Sequence, residues 1–216
     1  MILDKYVSVV ISCAGTGSRL GFSTNKSLVD INGSPLIAWQ LDMLKNVEDI
    51  IVVVGFQADR VIEEVNKCRR DITFVYNKDY LTTKTGASFY LGARNAREYV
   101  IGYDGDLIVH PEDMKKLLCI TGEYICYSDI TSDDPILVNT DPSGSVISFS
   151  REFGDYEWTG PVCLKRDRIR CDTGHVYRQL EYNLPLKGIK IRACDIDTPA
   201  DYIKAKGLMK QWGCLH

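Results

Sequence analysis

Two segments, residues 7–12 (VSVVIS) and 50–54 (IIVVV), are apolar or small at nearly every position rather than at every second one. A strand with one wet face alternates, whereas a short continuous run rich in β-branched residues fits a strand covered on both faces. Such strands belong to parallel sheets, whose crossovers need helices. The intervening sequence supplies them. Leu36, Ile37, Trp39, Gln40, Leu41 and Leu44 follow helical spacing behind Ser34 and Pro35, which read as a cap and a first-turn proline. Residues 57–68 place Val61, Ile62 and Val65 inward. Residues 72–76 predict a third strand, 85–97 a helix, and 99–103 a strand running into Asp104-Gly105-Asp106. Residues 111–118 predict a helix whose first turn carries Glu112 and Asp113, as the helix dipole favours.

The second half has a different rhythm. Residues 123–127, 135–140, 146–150 and 158–164 read as strands, and Asp141-Pro142-Ser143-Gly144 is a turn between the second and third. Residues 176–181 are read as a helix and 188–194 as a strand leading into Asp195-Ile196-Asp197. Thr198-Pro199-Ala200-Asp201 approaches a capping box and opens a helix to about Trp212. With 216 residues, no repeat and no linker, the expectation is one mixed α/β domain over 1–216.

Composition narrows the function. A net charge of -3 implies no broad basic face, so nucleic-acid binding is not expected. No apolar run is long enough to span a bilayer, and residues 1–6 lack the pattern of a signal peptide. The cysteines (13, 68, 119, 126, 163, 171, 194, 214) form no C-x-x-C pair, which fits reduced thiols in a cytoplasmic protein. The three histidines (110, 175, 216) with no cysteine cluster argue against structural zinc.

The loop at 13–21 (CAGTGSRLG) follows the first strand. Glycine lets backbone N–H groups approach an anion closely, although a tight strand-to-helix turn would look the same. Spacing excludes two common phosphate binders. The dinucleotide fingerprint requires a third glycine where Leu20 stands, and the P-loop requires a lysine directly after its last glycine, whereas Lys26 is farther on. What remains is A-G-x-G-x-R with a downstream lysine. Arg19 and Lys26 thus give two cations beside one glycine loop, a pattern suited to a triphosphate whose β and γ phosphates depart.

These residues, with 25–29 (NKSLV), 33–37 (GSPLI), 51–56, 103–106 and 195–198 in that order, resemble the nucleotidyltransferases that include sugar-nucleotide and cytidylyltransferase enzymes. Asn77-Lys78-Asp79-Tyr80, Ser88, and Asp201-Tyr202 after Asp195-Ile196-Asp197 resemble phosphocholine and phosphonate cytidylyltransferases. The resemblance implies a Rossmann-like, mixed and mostly parallel sheet with helices on both faces and a small acceptor-binding subdomain. It implies Mg²⁺ held by Asp106 and Asp197, with Arg19 and Lys26 as catalytic cations. It further implies nucleotide contacts from Ala14, Gly15, Thr16, Gly17 and Ser18, and from Gly86, Ala87 and Ser88 against the base. Asp104 is a further nucleotide-site carboxylate, or a turn cap supporting the others. Two positions depart from the pattern: Cys13 replaces alanine, and Asn25 stands where proline precedes the lysine.

The implied reaction joins a nucleoside monophosphate from an NTP, CTP being the chosen donor, to a small phosphorylated or phosphonylated acceptor of phosphocholine or 2-aminoethylphosphonate type, with pyrophosphate released. The acceptor is already anionic, so no general base is needed. Glu157 with Trp158, and Glu181 beside Tyr182, are candidate acceptor contacts, since carboxylates and aromatics hold an ammonium group. Core packing is the plainer reading of those aromatics. Lys165, Arg166 and Arg168 read as a solvated basic stretch. A sugar-1-phosphate nucleotidyltransferase shares this catalytic set, and a silent nucleotide-binding regulator would not need all of it. A homodimer is compatible with the sequence, which does not set the oligomeric state.

Overall fold

A computed structural model describes residues 5–213, so residues 1–4 and 214–216, Cys214 and His216 among them, lie outside it. The strands are β1 (Val7–Cys13), β2 (Asp30–Ile31), β3 (Ser34–Pro35), β4 (Ile50–Val54), β5 (Thr73–Tyr76), β6 (Tyr99–Asp104), β7 (Leu107–Val109), β8 (Tyr124–Ser128), β9 (Leu137–Thr140), β10 (Ser145–Ser150), β11 (Tyr156–Lys165), β12 (Leu186–Lys190) and β13 (Ala193–Asp195). The helices are α1 (Leu36–Met43), α2 (Ala58–Cys68), α3 (Thr85–Ala93), α4 (Pro111–Leu117), α5 (Val176–Glu181) and α6 (Pro199–Gln211).

Nine strands form one sheet in the order β5-β4-β1-β6-β11-β8-β12-β10-β9. Strands β5, β4, β1 and β6 are parallel, as the continuous apolar runs require. The pleat of β1 divides its side chains between two layers. Val9, Ile11 and Cys13 pack with α1, α2 and α4 through Ile37, Leu41, Val61, Val65 and Met114. Val10 packs on the opposite face with Phe89 and Ala93 of α3 and Val176 and Leu180 of α5. Helices therefore cover both faces, and the Rossmann-like expectation holds.

Beyond β6 the sheet is mixed, with β12 parallel to β8 and the other pairs antiparallel. β11 runs antiparallel to both β6 and β8, and β10 is antiparallel to β12 and β9. The second half thus extends the same sheet, with the β9–β10 hairpin at its edge. Some boundaries move as well. Pro35 sits outside α1 in an extended conformation, and Ser34 with it pairs to β2, so neither acts as the expected cap and first-turn residue. α3 stops at Ala93 rather than Arg97. The strand expected at 188–194 is two: β12 stays in the main sheet, and β13 leaves it to pair antiparallel with β7. That break has a function, because the β13–β7 ribbon delivers Asp195 and Asp197 to the turn after β6. Thr198 and Asp201 complete the capping box of α6, so this segment is pinned from its far side too.

Asp113 of α4 anchors the start of β13. It accepts from Arg192 N at 3.0 Å, Nε at 2.8 Å and Nη2 at 2.8 Å. These guanidinium hydrogen bonds hold its carboxyl down at about 2. A depressed carboxylate stabilises the fold above the ordinary value of 3.8 and loses that contribution as pH falls toward 2. Because the Arg192 side chain is 54% exposed, solvent screening reduces the gain. Asp113→Asn is expected to cost about 1 kcal/mol at neutral pH, with wild type and variant converging near pH 2 in paired denaturant melts. Equal stability at neutral pH would rule out the anchor.

Candidate active site

The carboxyl ends of β1, β4 and β6 lie together, which is where open α/β sheets bind ligands. β1 ends in the glycine loop. Only a single 3₁₀ turn, Ser18–Leu20, follows it, so the expected strand–loop–helix unit lacks its helix and no macrodipole is aimed at the loop. What the loop offers is backbone. Among the described residues, no hydrogen bond uses the N–H groups of Gly15, Thr16 or Gly17. Gly15 is exposed and a Cβ on it would meet nothing, so one face of the loop is open. Gly17 has φ +62°, and a Cβ there would stand 2.8 Å from Lys26 Cγ. Its glycine identity therefore lets the lysine stem cross behind the loop. Ala14 is buried, and its carbonyl accepts from Phe56 N, tying the loop to the end of β4.

The charged residues expected to act together do meet. Lys26 Nζ donates to Asp106 Oδ2 at 2.7 Å and to Asp197 Oδ1. Arg19 Nη2 lies 3.0 Å from Asp197 Oδ2. Residues 171 positions apart in the chain thus share one point, at the junction of the loop, the turn after β6 and the end of β13. Gly105 makes that turn possible: a Cβ on it would be 2.7 Å from Ser12 O and from Cys13 Sγ. Gln40 of α1, fully buried, donates to the carbonyls of Asp104 at 2.9 Å and Leu107 at 2.8 Å and so holds both sides of the turn.

Four carboxylates crowd this junction. Burial, then the charge of Asp106, push Asp104 up to about 7 despite Lys26. Burial and the charges of Asp106 and Asp104 drive Asp195 well upward. Burial opposes charge on Lys26, but Asp106 and Asp197 outweigh it and hold the ammonium firmly protonated. With Asp104 and Asp195 pushed toward their neutral forms, one lysine and one exposed arginine are matched against the carboxylates of Asp106 and Asp197. Mg²⁺ takes hard oxygen ligands, a few carboxylates completed by phosphates and water. Asp106 and Asp197 offer two such carboxylates, and among the described residues no group of three or more candidate ligands is formed. Asp106 and Asp197, whose oxygens already meet at one ammonium, fit as holders of Mg²⁺, with Asp104 and Asp195 behind them.

The other site residues are placed less simply. Gly86 N donates to Gly174 O at 2.9 Å, and a Cβ on Gly86 would lie 2.7 Å from that oxygen. The close backbone approach at Gly86 is therefore made by the chain's own 172–175 segment, not left open for a base. Ser88 is buried and accepts from Asn77 Nδ2 at 3.1 Å, while Ala87 is half-buried.

Glu157, 5% exposed, accepts from Thr131 N and Oγ1 and from Ser132 N and Oγ, at 2.8–3.1 Å. Its oxygens fix a loop, which corrects the expectation that they face an ammonium group. Glu181 pairs with Arg178 on the surface of α5, 3.3 Å away. Trp158 lies edge-on to Phe149 at 6.4 Å and near Tyr177 at 6.4 Å, and His175 stacks on Tyr177 at 6.1 Å. The aromatic group is real, but the sequence reading missed Phe149, His175 and Tyr177 because they converge from separate elements. It also missed Gln40, whose signal was a polar residue on the buried face of an apolar helix. Glu157→Ala is expected to cost about 1–2 kcal/mol through the loosened loop, with the ratio of turnover on cationic and neutral acceptors unchanged. A selective loss with cationic acceptors would restore the contact.

Comparison with known proteins identifies the family. The family model described as MobA-like NTP transferase domain matches residues 9–141. The choline-phosphate cytidylyltransferase of Streptococcus pneumoniae is 33% identical over 180 residues, covering 74% of this chain and 73% of that one. Its Haemophilus influenzae counterpart is 33% identical over 110 residues, 48% of this chain and 46% of that one. Among solved structures, the CTP:phosphocholine cytidylyltransferase of S. pneumoniae superposes with TM-score 0.76 at 20% identity over 94% of this chain and 99% of that one. The inositol-1-phosphate CTP transferase of T. maritima gives 0.79 at 18% identity over 96% of each. At those identities the structural matches speak for the fold.

Proposed function

The chain belongs to the MobA-like NTP transferase domain family and is a nucleotidyltransferase, and from that premise we propose that it transfers CMP from CTP to a small phosphorylated or phosphonylated acceptor. The observation that carries the reading is the convergence of Arg19, Lys26, Asp106 and Asp197 beside a glycine loop with free N–H groups. An acceptor oxygen attacks the α-phosphorus and forms the new P–O bond. The bond from that phosphorus to the β-phosphate oxygen breaks, and its electron pair leaves with pyrophosphate. Loop N–H groups orient the phosphates, and Arg19 and Lys26 neutralise the departing charge. Asp106 and Asp197 are the residues that would hold Mg²⁺, which when bound would add charge neutralisation at the phosphates. No side chain is asked to remove a proton, because the attacking oxygen is ionised at neutral pH.

CTP is preferred as donor because two relatives at 33% identity, one of them aligned over 74% of this chain, carry cytidylyl transfer in their names. The acceptor is less constrained. Since Glu157 and Glu181 are engaged within the protein, sugar-1-phosphates form a second acceptor class that the same centre serves. The test is pyrophosphate release with Mg²⁺, each NTP being run against phosphocholine, 2-aminoethylphosphonate and several sugar-1-phosphates. CTP with an amino-alcohol phosphate or phosphonate is the expected pair. Release with sugar phosphates alone would keep the chemistry and replace the acceptor, and NTP binding without release from any pair would favour a binding protein.

A further inference from the structure

Asn25 precedes the catalytic lysine and is only 2% exposed. Its side chain joins three separate segments. Nδ2 donates to Cys13 O at 2.7 Å, where β1 ends, and to Phe56 O at 3.0 Å, just past β4, with a longer approach of 3.4 Å to Gly15 O in the glycine loop. Oδ1 accepts from Ser27 N at 3.0 Å and Ser27 Oγ at 2.8 Å, capping the 3₁₀ turn that begins with Lys26. The backbone N–H of Asn25 donates to Gln57 Oε1 at 2.9 Å, which also accepts from Thr24 Oγ1 at 3.2 Å. An amide is the group this place requires, because it presents donors to the carbonyls and an acceptor to the turn at once. An aspartate would set a negative oxygen against those carbonyls, and a smaller side chain could not span them.

We propose that Asn25 is a positioning residue for nucleotidyl transfer: it fixes the lysine turn to the ends of β1 and β4, so that Lys26 meets the phosphates at a set distance from the glycine loop. The proposal rests on the reading of Lys26 as a catalytic cation. The bridge is short and buried, whereas the Lys26 side chain is long and has many rotamers. Without the bridge, the lysine's base can shift relative to the loop, and ångström-scale misplacement is costly to rate.

The test is a double-mutant cycle with Lys26→Met, scored by turnover on CTP and by calorimetric CTP binding. Asn25→Ala removes both bridge and cap. Asn25→Ser keeps an oxygen able to cap Ser27 but cannot reach Cys13 O and Phe56 O, so it separates bridging from folding. In the wild-type background both variants are expected to lower kcat about 10- to 100-fold, leaving the KM of the acceptor within about threefold. In the Lys26→Met background, Asn25→Ser should cost less than about threefold further, because its effect runs through the lysine. Equal losses in both backgrounds, or normal kcat and CTP affinity in a folded Asn25→Ser protein, would overturn the proposal. Normal turnover and CTP binding in Lys26→Met alone would instead overturn the reading of Lys26 on which it stands.

Discussion

Asp106→Ala is expected to lower turnover by about 10³-fold or more while the protein stays folded. The Asp106 side chain is 27% exposed, and its oxygen is held by Lys26 rather than by the backbone of a buried turn. The turn itself depends on the main chain: Gly105 N donates to Ser12 O, and Ile196 N donates to Asp106 O. Truncation therefore leaves those contacts standing. It relieves Asp104 and Asp195 of one neighbouring charge but also leaves Lys26 with Asp197 as its remaining carboxylate partner, so the fold should persist with a small change in melting temperature. Circular-dichroism melts and pyrophosphate release on the same preparation would check both halves. A folded variant with normal turnover would remove Asp106 from the site.

Lys26→Met should act with comparable force on rate and more strongly on stability. Methionine keeps the stem that packs behind Gly17 and deletes only the charge. Turnover is expected to fall about 10²- to 10⁴-fold through loss of phosphate neutralisation. Asp106 and Asp197 would then face each other, with the exposed Arg19 the remaining counter-charge at Asp197. The variant should melt lower than wild type without divalent ions, and Mg²⁺ should raise its melting temperature by more than it raises that of wild type. Unchanged turnover, or identical melting shifts with Mg²⁺, would contradict the placement of the ammonium at the carboxylate junction.

Much of this was legible in the sequence, for identifiable reasons. Strands such as β4 are buried at every position, and that environment writes itself as an unbroken run of Ile and Val. Arg19, Lys26, Asp106 and Asp197 were singled out by the family resemblance, and the structure brings their side chains to one point. Side-chain bookkeeping was less visible. Glu157 reads as a free carboxylate until the loop at Thr131 and Ser132 is seen to use all of its oxygens. Gly86 reads as an opening for a base until Gly174 is found against it. The split of 188–194 into β12 and β13 was hidden because Ile191 and Arg192 interrupt no apolar pattern, and only the pairing of β13 with β7 shows where the chain turns. Asn25 was visible as a departure from the expected proline, but its role needed the three carbonyls to be in place.

The most direct measurement follows the atoms. CTP labelled at its α-phosphorus is incubated with Mg²⁺, the protein and a phospho- or phosphono-acceptor, and the label is traced by chromatography. Nucleotidyl transfer at this centre predicts label in a CMP–acceptor conjugate, unlabelled pyrophosphate in equal amount, and loss of both products in Asp106→Ala. Label retained in CDP, or a conjugate formed equally well by Asp106→Ala, would contradict it.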